Sequence, residues 1–125
     1  MNLGSTFLLK TAIEKHIWFA IHVQKDLAVI LNFTTYNPDP TCTITRQEYP
    51  TLHHDSSVAY QHGKLLNKKQ IEILEKHGIL RFLNPLPKSV IKKIQQGAIA
   101  SQFTPEKIKN VLAPPPKKAP PSKSN

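Results

Sequence analysis

Histidine, lysine, arginine and threonine side chains near the ends of apolar runs are the groups in this sequence that could do chemistry. Imidazole exchanges protons near neutral pH, a cation stabilises a phosphate that gains negative charge, and a hydroxyl donates a hydrogen bond to phosphate oxygen. Metal-free cleavage of RNA needs little more than a base for the 2′-hydroxyl, an acid for the leaving oxygen and cations around the phosphate. The candidates for this chemistry are Lys15, His16, Thr34, Thr35, Arg46 and His53.

Other kinds of site are weakly supported. The 6 histidines form no HExxH motif, and the adjacent pair His53 and His54 would point to opposite sides of an extended chain, so we predict no metal site. No phosphate-binding loop of the GxxxxGK[ST] or GxGxxG type occurs, so we predict no cofactor. Cys42 is expected to be a half-buried small apolar residue. Structural alternatives also stay open for Thr34 and Thr35 as strand-end residues and for His54 as a surface residue.

Positive charge is concentrated in the second half of the chain. The formal net charge is +9, and residues 61–112 carry 10 Lys and Arg against 3 Asp and Glu, whereas residues 1–60 carry 4 against 5. A one-sided field of this kind attracts RNA or DNA, although a solvated lysine-rich surface without a ligand is the alternative. The predicted nucleic-acid-binding residues are Arg46, His53, Lys64, Lys68, Lys69, Lys92 and Lys93.

The first half of the chain has the pattern of β-strands. Short runs rich in β-branched and aromatic residues occur at 5–9, 16–23, 27–35, 41–45 and 57–60, and residues 24–26 predict a hairpin loop. The uninterrupted apolar run at 27–31 is typical of a central strand covered on both faces. Several short antiparallel strands favour a small closed or half-closed barrel of about five strands.

The second half predicts two to three short helices after the barrel, which makes the fold α+β. Asn67 is a predicted N-cap with Gln70 completing a capping box, and Gly78 should end this helix. A second helix is expected from Pro87 to Gly97. The third is expected after an N-cap at Thr104, with its end at 111–112.

Residues 1–112 are therefore predicted to be one globular domain, and the proline- and lysine-rich residues 113–125 a disordered tail. A single cysteine fits a reducing compartment, and the apolar runs are too short to cross a bilayer. The N-terminus also lacks the basic segment of a signal peptide. We predict a cytoplasmic protein without membrane contact.

The order of these segments resembles the MazF/PemK-like toxin family. Residues 4–9 lie where the family opens with a Gly-Asp-hydrophobic strand, and residues 15–21 lie where it has an Arg-Pro-hydrophobic strand. Residues 27–35 are similar to its central strand, which ends in Ser or Thr, and residues 57–66 to its serine-led strand and following helix. Lys15 and His16 stand at the positions of the family's arginine and proline, and lysine cannot fork two hydrogen bonds onto one phosphate as arginine does.

The resemblance implies an SH3-like barrel that cleaves single-stranded RNA, forms a homodimer and is inhibited by an acidic antitoxin-like protein. On it we predict a catalytic set of Lys15, His16, Thr34 and Thr35. Two alternatives stay open: a non-catalytic relative of the barrel that binds RNA, DNA or protein, and a structural module whose lysines only keep it in solution. Cleavage of RNA in EDTA separates the first hypothesis from the other two.

Overall fold

The computed structural model describes residues 1–11, 16–35 and 39–113. These residues form seven β-strands and three α-helices. The strand pairs are antiparallel, so the predicted α+β class with an antiparallel sheet is confirmed. The strands are β1 (Thr6–Leu9), β2 (Trp18–Gln24), β3 (Leu27–Thr34), β4 (Thr43–Ile44), β5 (Ser56–Val58), β6 (Lys64–Asn67) and β7 (Leu80–Phe82). The helices are α1 (Lys68–Lys76), α2 (Lys88–Ala100) and α3 (Glu106–Leu112), and a single 3₁₀ turn covers Tyr60–His62.

The strands lie in the order β4-β5-β3-β2-β1-β7, and β6 lies beside the first half of β3. Because Gln24 pairs with Leu27, the predicted hairpin between β2 and β3 is confirmed, with Lys25 and Asp26 as its loop. Within the described residues β4 and β7 are the two ends of this order, and they do not pair with each other.

Strand β3 is the centre of the sheet. One of its edges pairs with β2, while the other pairs first with β6, through Leu27–Ile30, and then with β5, through Phe33 and Thr34. The residues from Ala28 to Phe33 are all buried. The uninterrupted apolar run thus predicted a central strand correctly, because a strand covered on both faces has no polar face to present to water.

Helices cover both faces of β3. On one face Leu31 belongs to a core cluster that includes Ile94 of α2 and Ile108 of α3. On the other, Ile30 belongs to a second cluster against which Ile71 of α1 packs. The sheet therefore separates α1 from the pair α2 and α3.

Helix α1 has the predicted ends. The Asn67 side chain accepts a hydrogen bond from the Gln70 amide at 2.8 Å, and Gln70 Oε1 accepts one from the Asn67 amide at 2.9 Å, which completes the capping box. Gly78 has a φ of +64°, and the Ile79 amide donates to the carbonyl of Leu74, so the helix closes in a Schellman motif.

The strand count and the place of α1 differ from the sequence prediction. Five strands were expected before the helices, but β6 precedes α1 directly and β7 follows it, so only α2 and α3 come after the sheet. Both additional strands are short and carry charged residues, such as Lys64 and Arg81. Strand β6 is stabilised by pairing with β3, and β7 by pairing with β1. Such pairing with distant strands cannot be predicted from the local sequence.

Helices α2 and α3 also depart from their predicted ends. Helix α2 does not stop at Gly97 but continues to Ala100. Gly97 is buried, and a Cβ there would overlap the Tyr60 hydroxyl, so this glycine serves close packing and does not end the helix. Pro87 is its N-cap rather than its first residue. Helix α3 starts at Glu106, with Pro105 instead of Thr104 in the cap position.

Residues 114–125 of the predicted tail lie outside the described residues, as does Lys15. None of the helices in the described ranges has the length and apolar character required to cross a membrane.

Candidate functional site

A cleft of about 230 Å³ opens where the end of β3 meets the residue before β2 and the segment before β5. Its apolar floor includes Phe33 and Leu52, which are 4% and 3% exposed. The polar residues that line it are His16, Thr34, Thr35, His53, His54 and Ser56. We call this the histidine cleft.

The first wall of the histidine cleft belongs to the central hairpin. The Phe33 amide donates to the carbonyl of Ile17 at 3.0 Å, so the pairing of β2 and β3 extends to the residue that follows His16. Thr34 pairs with Ser57 of β5 and is half-buried, and Thr35 is exposed directly after the strand end. Sheet hydrogen bonds on both edges of β3 therefore fix this wall.

The second wall is an irregular segment, residues 45–55, that begins with one helical turn. Thr45 and Glu48 form a capping box: the Thr45 amide donates to Glu48 Oε1 at 2.9 Å, and the Glu48 amide donates to Thr45 Oγ1 at 3.1 Å. The turn ends at Tyr49 because Pro50 follows, and a residue before proline disfavours helix. The spacing T-x-x-E would have predicted this turn from the sequence.

Arg46 and Asp55 hold the two ends of this segment together. Arg46 donates from Nε to the carbonyl oxygen of Leu52 at 3.2 Å, and its amide donates to Asp55 Oδ1 at 2.8 Å. Ser56 then donates from its hydroxyl to the carbonyl of His54 at 2.9 Å. Asp55, the residue before β5, thus accepts from the backbone amide of Arg46, and the segment between Leu52 and Ser56 is fixed against the histidine cleft.

Glu48 joins this wall to helix α2. The Lys93 ammonium lies 3.1 Å from Glu48 Oε2 and donates to the carbonyl of Thr43 at 2.9 Å. The backbone hydrogen bond from Thr45 and then the hydrogen bond from Lys93 lower the pKa of Glu48, because both stabilise the carboxylate. Lys93 is thus part of a structural ion pair and does not line the histidine cleft.

Of the predicted catalytic residues, the structure brings His16, Thr34 and Thr35 into the histidine cleft, and Lys15 lies outside the described residues. His53, predicted for nucleic-acid binding, joins them. His54, which the sequence favoured as a surface residue, is exposed and also lines the cleft. Neighbouring side chains point apart in an extended strand, but the chain bends at His53 and His54, so both line the cleft.

The remaining predicted nucleic-acid residues are spread over other surfaces. Lys64 lines a neighbouring cleft. Lys92 of α2 lines another pocket together with His22 of β2 and Ile99 of α2. Lys68 and Lys69 are exposed in the first turn of α1. The structure therefore does not gather the predicted cations into one patch around the histidine cleft.

Buried reactive groups lie away from this cleft. Cys42 is 3% exposed, and burial raises the pKa of its thiol, as it raises the pKa of the neighbouring Tyr60. Cys42 is more deeply buried than the half-buried residue expected. The described residues contain no group of three His, Cys, Asp or Glu able to hold a metal ion.

Imidazoles, hydroxyls and an apolar floor form a cleft suited to proton transfer at a bound phosphate. No acidic residue lines it in the described part of the chain, which favours an anionic ligand. A scan of known protein families finds none whose model matches the chain, and a search of curated proteins finds no similar sequence.

Proposed function

We propose that the protein is a metal-independent endoribonuclease for single-stranded RNA, built on a diverged SH3-like barrel of the MazF/PemK type. The observation that supports this most is that two separate segments contribute His16 and the pair His53 and His54 to one cleft, beside the hydroxyls of Thr34 and Thr35 from a third segment. Two imidazoles on one phosphate can serve as base and acid, and hydroxyl donors with nearby cations can stabilise the pentavalent intermediate.

The proposed reaction begins with the 2′-hydroxyl of the RNA. One imidazole, from His16 or His53, accepts the proton of this hydroxyl while its oxygen attacks the adjacent phosphorus. The bond from phosphorus to the 5′-oxygen then breaks, and a second imidazole donates a proton to that oxygen. The products are a 2′,3′-cyclic phosphate and a 5′-hydroxyl end. Lys15, which precedes His16 in the sequence and lies outside the described residues, keeps its predicted role as the cation for the phosphate in this proposal.

This proposal places the protein in the cytoplasm as the toxin of a toxin–antitoxin or related defence system, with an acidic protein as its inhibitor. Self-association through a sheet edge is part of it. Strand β7 ends the strand order, and Phe82 on it is 50% exposed, which supports such a contact. Light scattering of the purified protein measures whether it is a dimer.

A second candidate is a relative of the same barrel that binds nucleic acid or a protein without cleaving RNA. It is favoured by the exposed Lys68 and Lys69 on α1 and by Lys92 on α2, which lie outside the histidine cleft. Such lysines contribute to sequence-independent binding through phosphate contacts, and this binding does not require cleavage in the histidine cleft.

The test is cleavage of single-stranded RNA in the presence of EDTA, with analysis of the product ends. We expect cyclic phosphate and 5′-hydroxyl ends, and no cleavage of DNA of the same sequence, because DNA lacks the 2′-hydroxyl. His16→Ala and His53→Ala should each slow cleavage by about 10² to 10⁴-fold. His77→Ala, at the end of α1, is the matched control and should leave the rate unchanged.

Intact RNA together with a salt-sensitive gel shift would reject catalysis and support the second candidate. No binding at any ionic strength would reject both and leave a structural module. Cleavage that persists in the double variant of His16 and His53 would remove the histidine cleft from the reaction.

A further inference from the structure

The histidine cleft is too small to hold the bases on either side of a phosphodiester. Sites that enclose a small organic ligand measure roughly 300–1,000 Å³, whereas this cleft measures about 230 Å³. An RNA cleaved there must place its bases on adjoining surface.

A second cleft of about 430 Å³ adjoins it, since His16 lines both. The other side chains that matter here are Trp18 at the start of β2, Asn32 in β3, His62 in the 3₁₀ turn and Lys64 at the start of β6. No acidic residue of the described ranges lines it. An aromatic ring, an amide, an imidazole and a cation together suit a nucleotide rather than a peptide backbone.

Trp18 is placed to stack on a base. Side chains alternate along β2, so its neighbour Phe19 is fully buried in the core under α2, while Trp18 lies on the opposite face of the sheet. Part of the indole packs against the second core cluster, and the ring remains only half-buried because it also lines the second cleft. A rigid ring with one supported side and one accessible side is the usual platform for an unpaired base.

Asn32 and His62 form a fixed polar pair beside this platform. The side-chain Nδ2 of the fully buried Asn32 donates to the carbonyl of Phe33 at 3.1 Å, so Oδ1 is the atom that lies 3.3 Å from His62 Nδ1. An amide oxygen only accepts, so His62 carries its proton on Nδ1. The second ring nitrogen, Nε2, remains to form a hydrogen bond with a group on the edge of a base.

Lys64 supplies the charge for the adjacent phosphate. Its side chain is exposed and has no ion-pair partner in the described part of the chain. Pairing of Lys64 with Ile30 of the central strand fixes its backbone. An unpaired cation at the edge of the cleft can therefore contact the phosphate that follows the stacked nucleotide.

We propose that the cleft lined by Trp18, Asn32, His62 and Lys64 is a base-binding subsite for the nucleotide next to the cleaved phosphodiester. This inference rests on the proposed function and identifies part of its substrate contact: an unpaired nucleobase stacked on Trp18, with the neighbouring phosphate on Lys64. His16, at the boundary of the two clefts, faces the bond between them. The subsite explains why the enzyme would need a single strand, since a paired base cannot stack on a side chain.

The only tryptophan of the chain makes this subsite directly observable. The probe is a fluorescein-labelled single-stranded RNA of mixed sequence, added to the His53→Ala variant so that the RNA stays intact. Anisotropy of the label reports binding, and Trp18 emission with its quenching by acrylamide reports contact at the subsite. We expect Trp18 emission to fall, and to become shielded from acrylamide, at the same RNA concentration at which anisotropy rises.

Kinetics of cleavage give a second measurement. Trp18→Leu should raise KM by roughly tenfold to a hundredfold, whereas Trp18→Tyr keeps a stacking ring and should restore most of the affinity. Lys64→Gln, an exposed change that does not threaten folding, should raise KM and reduce the slope of log affinity against log salt by about one. Lys107→Gln, on the exposed side of α3, is the matched control.

The outcomes separate the subsite from the function. RNA that binds while Trp18 emission and acrylamide quenching stay unchanged overturns the subsite alone, as does an unchanged KM in both Lys64→Gln and a folded Trp18→Leu variant. If the wild type neither binds nor cleaves RNA, the proposed function fails and the subsite with it.

Discussion

Arg46 donates from Nε to the carbonyl oxygen of Leu52 at 3.2 Å, and Leu52 directly precedes His53 in the wall of the histidine cleft. The sequence predicted Arg46 as a contact to nucleic acid. Its position gives it a second role, because its side chain and its amide hold the two ends of the bend that carries His53 and His54.

Replacement of Arg46 by alanine should therefore slow RNA cleavage through misplacement of His53. We expect kcat to fall by about tenfold to a hundredfold, with a loss that is the same at low and high salt. A phosphate contact would instead raise KM and make the loss smaller as salt increases. A KM effect that disappears with salt would contradict the positioning role.

Acid should weaken the protein partly through Glu48. Its pKa in the folded protein lies below the ordinary value of 4.5, so its contribution to stability is present at neutral pH and is lost as pH falls through the folded pKa. Glu48→Gln should lower the free energy of unfolding in urea at neutral pH, and the difference from wild type should shrink as pH falls through the lowered pKa of Glu48 and vanish below it.

The companion variant for Glu48 is Lys93→Gln. It removes the ion pair but leaves the larger contribution, the hydrogen bond from the Thr45 amide. Its acid dependence should thus be weaker than that of wild type but still present. A constant difference between Glu48→Gln and wild type at every pH would show that the charge of Glu48 is not involved.

Gly97 and Tyr60 should be energetically coupled. Gly97→Ala places a Cβ in overlap with the Tyr60 hydroxyl, which is buried and donates to the carbonyl of Ile94 at 2.8 Å. We expect this overpacking to destabilise the fold by about 1–3 kcal/mol. Tyr60→Phe alone loses a hydrogen bond worth about 1 kcal/mol.

The double variant of Gly97 and Tyr60 decides whether this contact is the cause. Loss of the hydroxyl makes room for the new methyl group, so the double variant should be more stable than the sum of the single effects predicts. Urea unfolding of the four proteins measures this coupling. Additive effects would mean that Gly97 is constrained by something other than Tyr60.

Cys42 should be unreactive in the folded protein. Its side chain is buried, and burial raises the pKa of the thiol, so little thiolate is accessible to a modifying reagent. Iodoacetamide at mildly alkaline pH should modify Cys42 slowly in buffer and rapidly in guanidinium chloride, as measured by mass spectrometry. Equal rates in the two solvents would contradict its burial.

Features that depend on neighbouring residues were predicted well from the sequence, whereas features that depend on contacts between distant residues were not. The capping box of Asn67 and Gln70 involves groups three residues apart, so the sequence contains all of it. Strand β7 forms because Leu80–Phe82 pairs with β1, and nothing within those three residues requires it. Gly97 resembled a helix stop, but its small size serves contact with Tyr60 instead.

The candidate site shows the same limit. The residue types for proton transfer were visible in the sequence, and His16, Thr34 and Thr35 do meet in one cleft. His54 was predicted as a surface residue, and it is exposed, but the bend of the chain at this residue also brings it to the cleft. The second cleft was not predicted, since Trp18, His62 and Lys64 are brought together only by the sheet and the 3₁₀ turn.

Because β3 is paired on both edges, the wall of the histidine cleft that continues this strand should open locally at a higher free energy than the other wall. Amides in the middle of β3 should be among the last to exchange with deuterium, and Thr34 and Thr35 continue directly from that strand. His53 and His54 belong to a segment held by side-chain contacts, which open at lower free energy. Mild warming should therefore loosen the wall that carries His53 and His54 while the wall that carries Thr34 and Thr35 stays in register.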